Sequence, residues 1–192
     1  MVNVPPAIEF PAELLLRAQH IKVLFLDVDG VFTDGGIYYT EHPSPTGTEV
    51  GETIKRFHTL DGFGLRLLQR AGITPVVISG RNSVALRARL SELDVTRGYF
   101  AVNDKLSVGR RVLQEMGITW ADAAAMGDDW PDLRLMQACS FCAAPPNAHI
   151  EVRAVAHHVT LAPGGAGALR EMVDLLLVAS GRYVHMLSEV NA

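Results

Sequence analysis

The sequence predicts an α/β domain: a mainly parallel sheet flanked by helices. Three observations lead there. Short apolar runs of strand length alternate with longer amphipathic stretches between residues 21 and 143, the pattern of repeated strand–helix units. Helix punctuation falls between them. Gly72 and Gly117 follow helix-like segments, and Asp61, Asn82, Asn103 and Asp129 stand near helix starts, where short polar side chains satisfy free N–H groups. Polar clusters follow several strand-like runs, and in open parallel sheets ligands gather beyond the carboxyl ends of the strands.

In order, the expected strands are 21–26 (IKVLFL), 74–78 (TPVVI), 98–102 (GYFAV), 123–126 (AAAM) and 140–143 (SFCA). The expected helices are 63–71, 83–93, 104–116 and 130–137. Their alternation makes the sheet Rossmann-like. One segment breaks the pattern. Residues 36–41 (GIYYTE) and 48–57 (TEVGETIKRF) read as two strands around the turn-rich HPSPTG, hence a projecting β-hairpin over 36–57. The other exception is the end of the chain, where PGGAG leads into an apolar helix at 168–179 and a tail. This C-terminal helix and tail occupy 165–192. No repeat or linker divides the chain, so one domain is expected over 1–192.

Composition narrows the function classes. The chain has 192 residues, 48% hydrophobic and 20% charged, with a net charge of −4. That balance argues against disorder and against a nucleic-acid partner, which calls for a basic surplus. No apolar run approaches the roughly 20 residues of a membrane span, so no membrane partner is expected. The first twenty residues carry no early Lys or Arg ahead of an apolar stretch and do not read as a secretion signal. Two cysteines make no disulfide framework, which points to the cytoplasm. Cys139 and Cys142 read as buried inert thiols, His157 and His158 as an ordinary strand or loop pair, and Trp120 and Trp130 as packing residues, Trp130 close to the candidate site.

The chemistry sits in four places. Asp27 and Asp29, in DVDGVFTD, leave the end of a buried strand. Two carboxylates there are costly unless a cation or hydrogen bonds compensate them, and Gly30 permits the sharp turn. The plain alternative, a polar loop capping a helix, does not account for where the acids fall. Ser79, Gly80 and Arg81 follow the next strand, where a hydroxyl and backbone N–H groups can cradle an anion. By itself this is an ordinary turn. Lys105 opens a helix and by itself is a surface lysine. Asp128 and Asp129 follow the strand at 123–126, with Asp132 a helical turn further. Adjacent carboxylates at a strand end suit a hard cation such as Mg²⁺.

Together these motifs resemble the haloacid dehalogenase (HAD) superfamily of phosphohydrolases, whose four motifs stand here as DVDGVFTD, SGR, Lys105 and GDD. The resemblance implies a HAD-like fold and a role for each residue. Asp27 would be the nucleophile that forms an aspartyl-phosphate, and Asp29 the general acid and then base. Mg²⁺ would be held by Asp27, the backbone carbonyl of Asp29 and Asp128. Ser79, Gly80 and Lys105 would bind the transferring phosphoryl group. Asp129 would support the metal's water shell or Lys105.

Between Asp34 and Ser79, and between Lys105 and Asp128, there is no room for the cap domain usual in this superfamily. A capless chain with a hairpin ending in KRFHTLDGFGLRLL, GDDWPDLRLM and a late PGGAGALREMVDLLL is similar to the 3-deoxy-D-manno-octulosonate 8-phosphate phosphatases. They release phosphate from an acidic sugar phosphate on the way to lipopolysaccharide. That likeness implies a small acidic sugar-phosphate substrate and a homo-oligomer, a homotetramer built through the hairpins. The turn EHPSPTGTEVGE departs from the pattern in being longer and richer in proline. Arg81, Lys55 and Asp61 are the candidates to meet the sugar. Lys55 could equally face solvent on the hairpin, and Asp61 could equally cap a helix. Three other readings stay open: a phosphatase for a sialic-acid-type 9-phosphate, a receiver-type phosphoacceptor, and a noncatalytic oligomerisation module. The order of the acid pairs around the lysine disfavours the receiver, and the intact motifs disfavour the noncatalytic module.

Overall fold

The computed structural model describes residues 6–44 and 47–190, and the side chains among them other than those of 42–53 and 190. Helix α1 (Ala12–Ala18) leads into strand β1 (Val23–Leu26), followed by the hairpin of β2 (Tyr38–Ser44) and β3 (Gly47–Ile54). Strand–helix units then repeat: α2 (Thr59–Arg70), β4 (Thr74–Ile78), α3 (Val84–Glu92), β5 (Gly98–Tyr99), α4 (Lys105–Met116) and β6 (Ala123–Met126). After them come α5 (Leu133–Ala138), β7 (Phe141–Ala144), α6 (Ile150–Val155), β8 (His158–Val159), α7 (Ala168–Ala179) and α8 (Tyr183–Val190).

Six strands form one sheet in the order β5-β4-β1-β6-β7-β8, every adjacent pair parallel. β1 lies between β4 and β6, with Val23 opposite Thr74 on one side and Ala123 on the other. From β1 the chain builds outward to β4 and β5, then returns to build β6, β7 and β8 on the opposite side. That reversal opens a crevice at the carboxyl end of β1.

β1 is buried on both faces, and its alternating side chains serve two layers. Leu24 and Leu26 join Leu65 and Leu68 of α2 and Leu169 and Met172 of α7. Val23 and Phe25 join Val112 and Leu113 of α4 and Leu135 and Met136 of α5. Each fully buried side chain of this size contributes roughly 1.5–3 kcal/mol, which is why an unbroken VLFL run can hold the centre of the sheet.

The expected parallel sheet and helices are present, with shifted boundaries. β5 stops at Tyr99 rather than continuing to 102, because Ala101 adopts a left-handed φ of 54°. α2 starts four residues early, capped by His58, whose Nδ1 accepts the Leu60 N–H at 3.3 Å. The helix expected at 130–137 begins as a single 3₁₀ turn at Trp130–Asp132. Helix α1 and α8 lie in the stretches that sequence left undefined.

The hairpin forms, with Tyr38 paired to Ile54 in a separate antiparallel sheet, but its strands run on to the pair Ser44–Gly47, through most of the segment 42–47 expected as a turn. Its base is closed by a bridge between Thr33 and Phe57 and by the Phe32 and Phe57 rings, 5.0 Å apart. The packing expected of Val50 lies outside the described side chains.

Candidate active site

All four motifs meet at the carboxyl end of the sheet, around a cavity of about 420 Å³ lined by Asp27, Asp29, Gly80, Arg81, Lys105 and Asp128, among others. Asp27 leaves β1, its N–H bonded to the Met126 carbonyl at 3.0 Å. Lys105 is the first residue of α4, capped by Asp104. Its buried ammonium donates to Asp27 and to Asp132 Oδ1, the latter at 2.5 Å. Asp132 also accepts the N–H groups of Asp128 at 3.2 Å and Asp129 at 3.3 Å. Asp132 is therefore the residue that supports Lys105. Asp129 instead caps the 3₁₀ turn, its Oδ1 accepting the Trp130 N–H at 2.8 Å. The signal in the sequence was an acid one helical turn beyond GDD, just after Pro131.

Carboxylate oxygens of Asp27, Asp128 and Asp132 lie within 4.8 Å of one another. Three acids around one lysine leave surplus negative charge in a buried place. Burial, then Asp132, pushes Asp27 up to about 6 against the pull of Lys105. Burial, then Asp27 and Asp132, pushes Asp128 up to about 8. Burial works against the charge of Lys105, but Asp27 and Asp132 overcome it and raise its pKa. With Asp132 engaged by the lysine and two amides, Asp27 and Asp128 are the carboxylates left to face a cation. This donor set fits a hard divalent ion such as Mg²⁺.

Ser79 is buried, and its Oγ accepts the Arg81 N–H at 3.0 Å, shaping the turn that brings Gly80 and Arg81 to the cavity. Arg81 Nε lies 3.8 Å from Asp29 Oδ2. The Lys55 side chain, 1% exposed, is paired with Asp29 and so does not face solvent on the hairpin. Asp61, another candidate to meet the sugar, is not among the residues that line the cavity. It is fully buried, accepts the Arg170 N–H at 2.8 Å and the Gly167 N–H at 3.3 Å, and so ties α2 to the start of α7. Nor does it cap its own helix, since His58 does that.

One residue that the sequence does not single out holds the loop after β1. Asn147, in the turn after β7, bridges Gly30 and Gly164. Trp130 is largely exposed and donates its indole N–H to His149 Nδ1 at 3.0 Å. Cys139 and Cys142 are buried free thiols, both pushed up by burial.

Comparison with known proteins agrees with this geometry. Residues 102–167 match the haloacid dehalogenase-like hydrolase family. The chain is 36% identical over 166 residues to the 3-deoxy-D-manno-octulosonate 8-phosphate phosphatase KdsC of Haemophilus influenzae, covering 86% of this chain and 88% of that protein. It is 34% identical over 171 residues to the Escherichia coli K12 protein of the same name, covering 89% and 87%. A crystal structure of the Moraxella catarrhalis phosphatase in complex with magnesium, phosphate and KDO superposes with a TM-score of 0.84 at 34% identity, covering 93% of this chain and 98% of that one. A cobalt-bound structure from Haemophilus influenzae gives 0.77 at 36% identity, covering 87% and 93%. With the acid, serine, lysine and acid motifs gathered at the end of β1, the chain belongs to the 3-deoxy-D-manno-octulosonate 8-phosphate phosphatase family of haloacid dehalogenase-like hydrolases.

Proposed function

We propose that this enzyme hydrolyses 3-deoxy-D-manno-octulosonate 8-phosphate to the free sugar acid and inorganic phosphate, with Mg²⁺ as cofactor. The observation that carries the reading is the position of Asp27, held between Lys105 and Asp128 at the mouth of the crevice. A carboxylate oxygen of Asp27 attacks phosphorus and the sugar–phosphate P–O bond breaks, leaving an aspartyl-phosphate. Asp29 donates a proton to the departing alkoxide, then takes one from the water that hydrolyses the acyl phosphate. Lys105, the Ser79 hydroxyl and the Gly80 backbone receive the charge that develops on the phosphoryl oxygens. Mg²⁺, when held by Asp27, Asp128 and the Asp29 carbonyl, offsets the repulsion between carboxylate and phosphate. Arg81 is the contact for the substrate carboxylate, since it is half-exposed on the cavity wall and a guanidinium suits a carboxylate. Lys55 acts through Asp29.

The working form is a homotetramer, with hairpins packed together so that neighbours cover each open site. This reading puts the reaction in the cytoplasm, and the two buried free thiols, which need no oxidising compartment, support it. No helix among the described residues is long and apolar enough to cross a membrane. The test is phosphate release over a panel of sugar phosphates with Mg²⁺. The octulosonate 8-phosphate should give the highest kcat/KM. A sialic-acid-type 9-phosphate turned over faster would replace the substrate, and a single slow phosphorylation without steady release would indicate a receiver.

A further inference from the structure

We propose that Asn147 is a positioning residue that sets the spacing between the two acidic loops of the metal site. The inference rests on the Mg²⁺-dependent reading above. Asn147 Nδ2 donates to the Gly30 carbonyl at 2.9 Å, and Asn147 Oδ1 accepts the Gly164 N–H at 2.8 Å. Two residues on, the His149 N–H donates to the Asp128 carbonyl at 2.8 Å. One short turn therefore grips the loop after β1 at Gly30 and the loop after β6 at Asp128.

The fit around Gly30 makes that grip matter. A Cβ on Gly164 would lie 1.8 Å from the Gly30 carbonyl oxygen, so the late glycine loop already presses on the group that Asn147 holds. The Gly165 N–H bonds the Val31 carbonyl at 3.0 Å and adds to the same seam. On its other side Gly30 abuts Asp128, whose Oδ2 would lie 2.0 Å from a Cβ built at Gly30. Where Gly30 sits thus limits where the Asp128 carboxylate can stand relative to Asp27. Mg²⁺ tolerates little error, because it demands near-octahedral geometry with oxygens at about 2.0–2.1 Å. An amide suits the joint, since it offers a donor to one loop and an acceptor to the other.

Asn147 is exposed, so truncating it removes the joint without opening the core. The experiment is calorimetric Mg²⁺ titration of the metal-stripped full chain, wild type against Asn147→Ala, with phosphatase kinetics across Mg²⁺ concentrations. The alanine variant should bind Mg²⁺ about three- to tenfold more weakly, the equivalent of one ordinary hydrogen bond. Its half-saturating Mg²⁺ in turnover should rise by the same factor, while kcat at saturating Mg²⁺ stays close to wild type. Unchanged Mg²⁺ affinity overturns the proposal, as does a loss of thermal stability with no change in affinity. Should the alanine chain fail to fold, Asn147→Asp keeps the acceptor for Gly164 and loses the donor for Gly30. Added negative charge alone would tighten cation binding, so weaker binding in that variant supports the proposal and equal or tighter binding overturns it. A wild-type chain that binds no Mg²⁺ would reject the metal-dependent reading itself. A binding wild type matched by the alanine variant would reject only the role of Asn147.

Discussion

Gly30 passes so close to Asp128 that a Cβ built on it would lie 2.0 Å from Asp128 Oδ2, and its φ of +94° is one that L side chains rarely adopt. Both facts demand glycine. Gly30→Ala must displace the Asp128 carboxylate and strain the turn that follows Asp27 and Asp29. We expect phosphatase activity to fall by about 100-fold or more, since small misplacements of reacting groups cost that much. The fold should survive with a loss of about 1–3 kcal/mol, as for a strained backbone position. Urea unfolding and steady-state kinetics on the same preparation separate the two effects. Wild-type turnover would show that Asp128 has room to move without consequence.

Asp27 and Asp29 stand two residues apart but in different company, Asp27 with Lys105 and Asp29 with Lys55 and Arg81. Asp27→Asn should lose turnover by about 10⁴-fold or more, because a neutral amide is a poor nucleophile toward phosphorus. Asp29→Asn should be slowed by about 10²–10⁴-fold, the usual worth of general acid–base help. It still keeps its nucleophile, so it should form the aspartyl-phosphate with an activated substrate, and acid-quenched mass spectrometry would detect it on Asp27. Label found on another residue, or near-normal turnover of Asp27→Asn, would refute the assigned nucleophile.

The carboxyl of Asp128 ties metal binding to pH. The unfolded chain releases this proton near the ordinary 3.8, the cation-free folded chain near 8, because burial and then Asp27 and Asp132 oppose its charge. Between those values the folded chain holds a proton that the unfolded chain has lost. Its stability without metal should therefore fall as pH rises through that interval and level off above about 8. Asp27, raised to about 6, acts in the same direction. A bound cation needs the carboxylate ionised, so stabilisation by Mg²⁺ should grow as pH rises toward 8. Thermal unfolding from about pH 5 to about pH 9, in chelator and in Mg²⁺, reads both effects. Asp128→Asn should flatten the chelator curve and remove most of the Mg²⁺ shift. A Mg²⁺ shift that does not vary with pH would contradict the linkage.

Asp61 belongs to the scaffold. Its carboxylate accepts two N–H groups at the start of α7, from a buried place on α2. Asp61→Ala should cost about 1–3 kcal/mol, since it removes a helix cap and leaves buried N–H groups without a partner. KM for the sugar phosphate should stay at its wild-type value at temperatures where the variant is folded. A raised KM with unchanged stability would return Asp61 to the sugar site.

The four motifs were legible because each is short, local and placed by a strand end. DVDGVFTD could be placed once IKVLFL was read as a buried strand, and the parallel alternation put SGR, Lys105 and GDD at the same edge. What escaped were relations across the fold. Asp61 near the start of an amphipathic helix gives no local sign that its partners lie in Gly167 and Arg170, more than a hundred residues away. Asn147 looks like one more turn residue until the sheet brings Gly30 and Gly164 beside it. Lys55 and Asp29 are joined only because the hairpin closes at Thr33 and Phe57. The early stop of β5 rests on one left-handed alanine, Ala101, a conformation that no residue preference announces.

The hairpin carries the last prediction, that the working form is an oligomer assembled through residues 36–57. β2 and β3 pair with each other and with no strand of the main sheet. A two-stranded ribbon alone is marginally stable in water, and a free strand edge invites pairing. Ile37, Tyr38, Tyr39 and Ile54 are all more than 40% exposed, an apolar load that a lone ribbon does not need. The catalytic cavity nearby is open, and bulk water there weakens every electrostatic contact to the phosphoryl group. Closed packing of hairpins from identical chains answers both problems, since it buries the tyrosines and brings neighbouring residues over each site. Light scattering should give a mass several times the 20.8 kDa of one chain, four times for the tetramer. Replacing residues 37–56 with a short Gly-Ser turn is a fair test, because the bridge between Thr33 and Phe57 and the Phe32–Phe57 contact hold the base without the ribbon. The deletion also removes Lys55 and Arg56, so Tyr38→Ser with Tyr39→Ser serves as the second variant and leaves both in place. Each should give smaller species that fold and that turn over sugar phosphate about tenfold or more slowly, the scale expected when a site loses its cover from water. A dilute monomer of the wild-type chain with full activity would sink the idea.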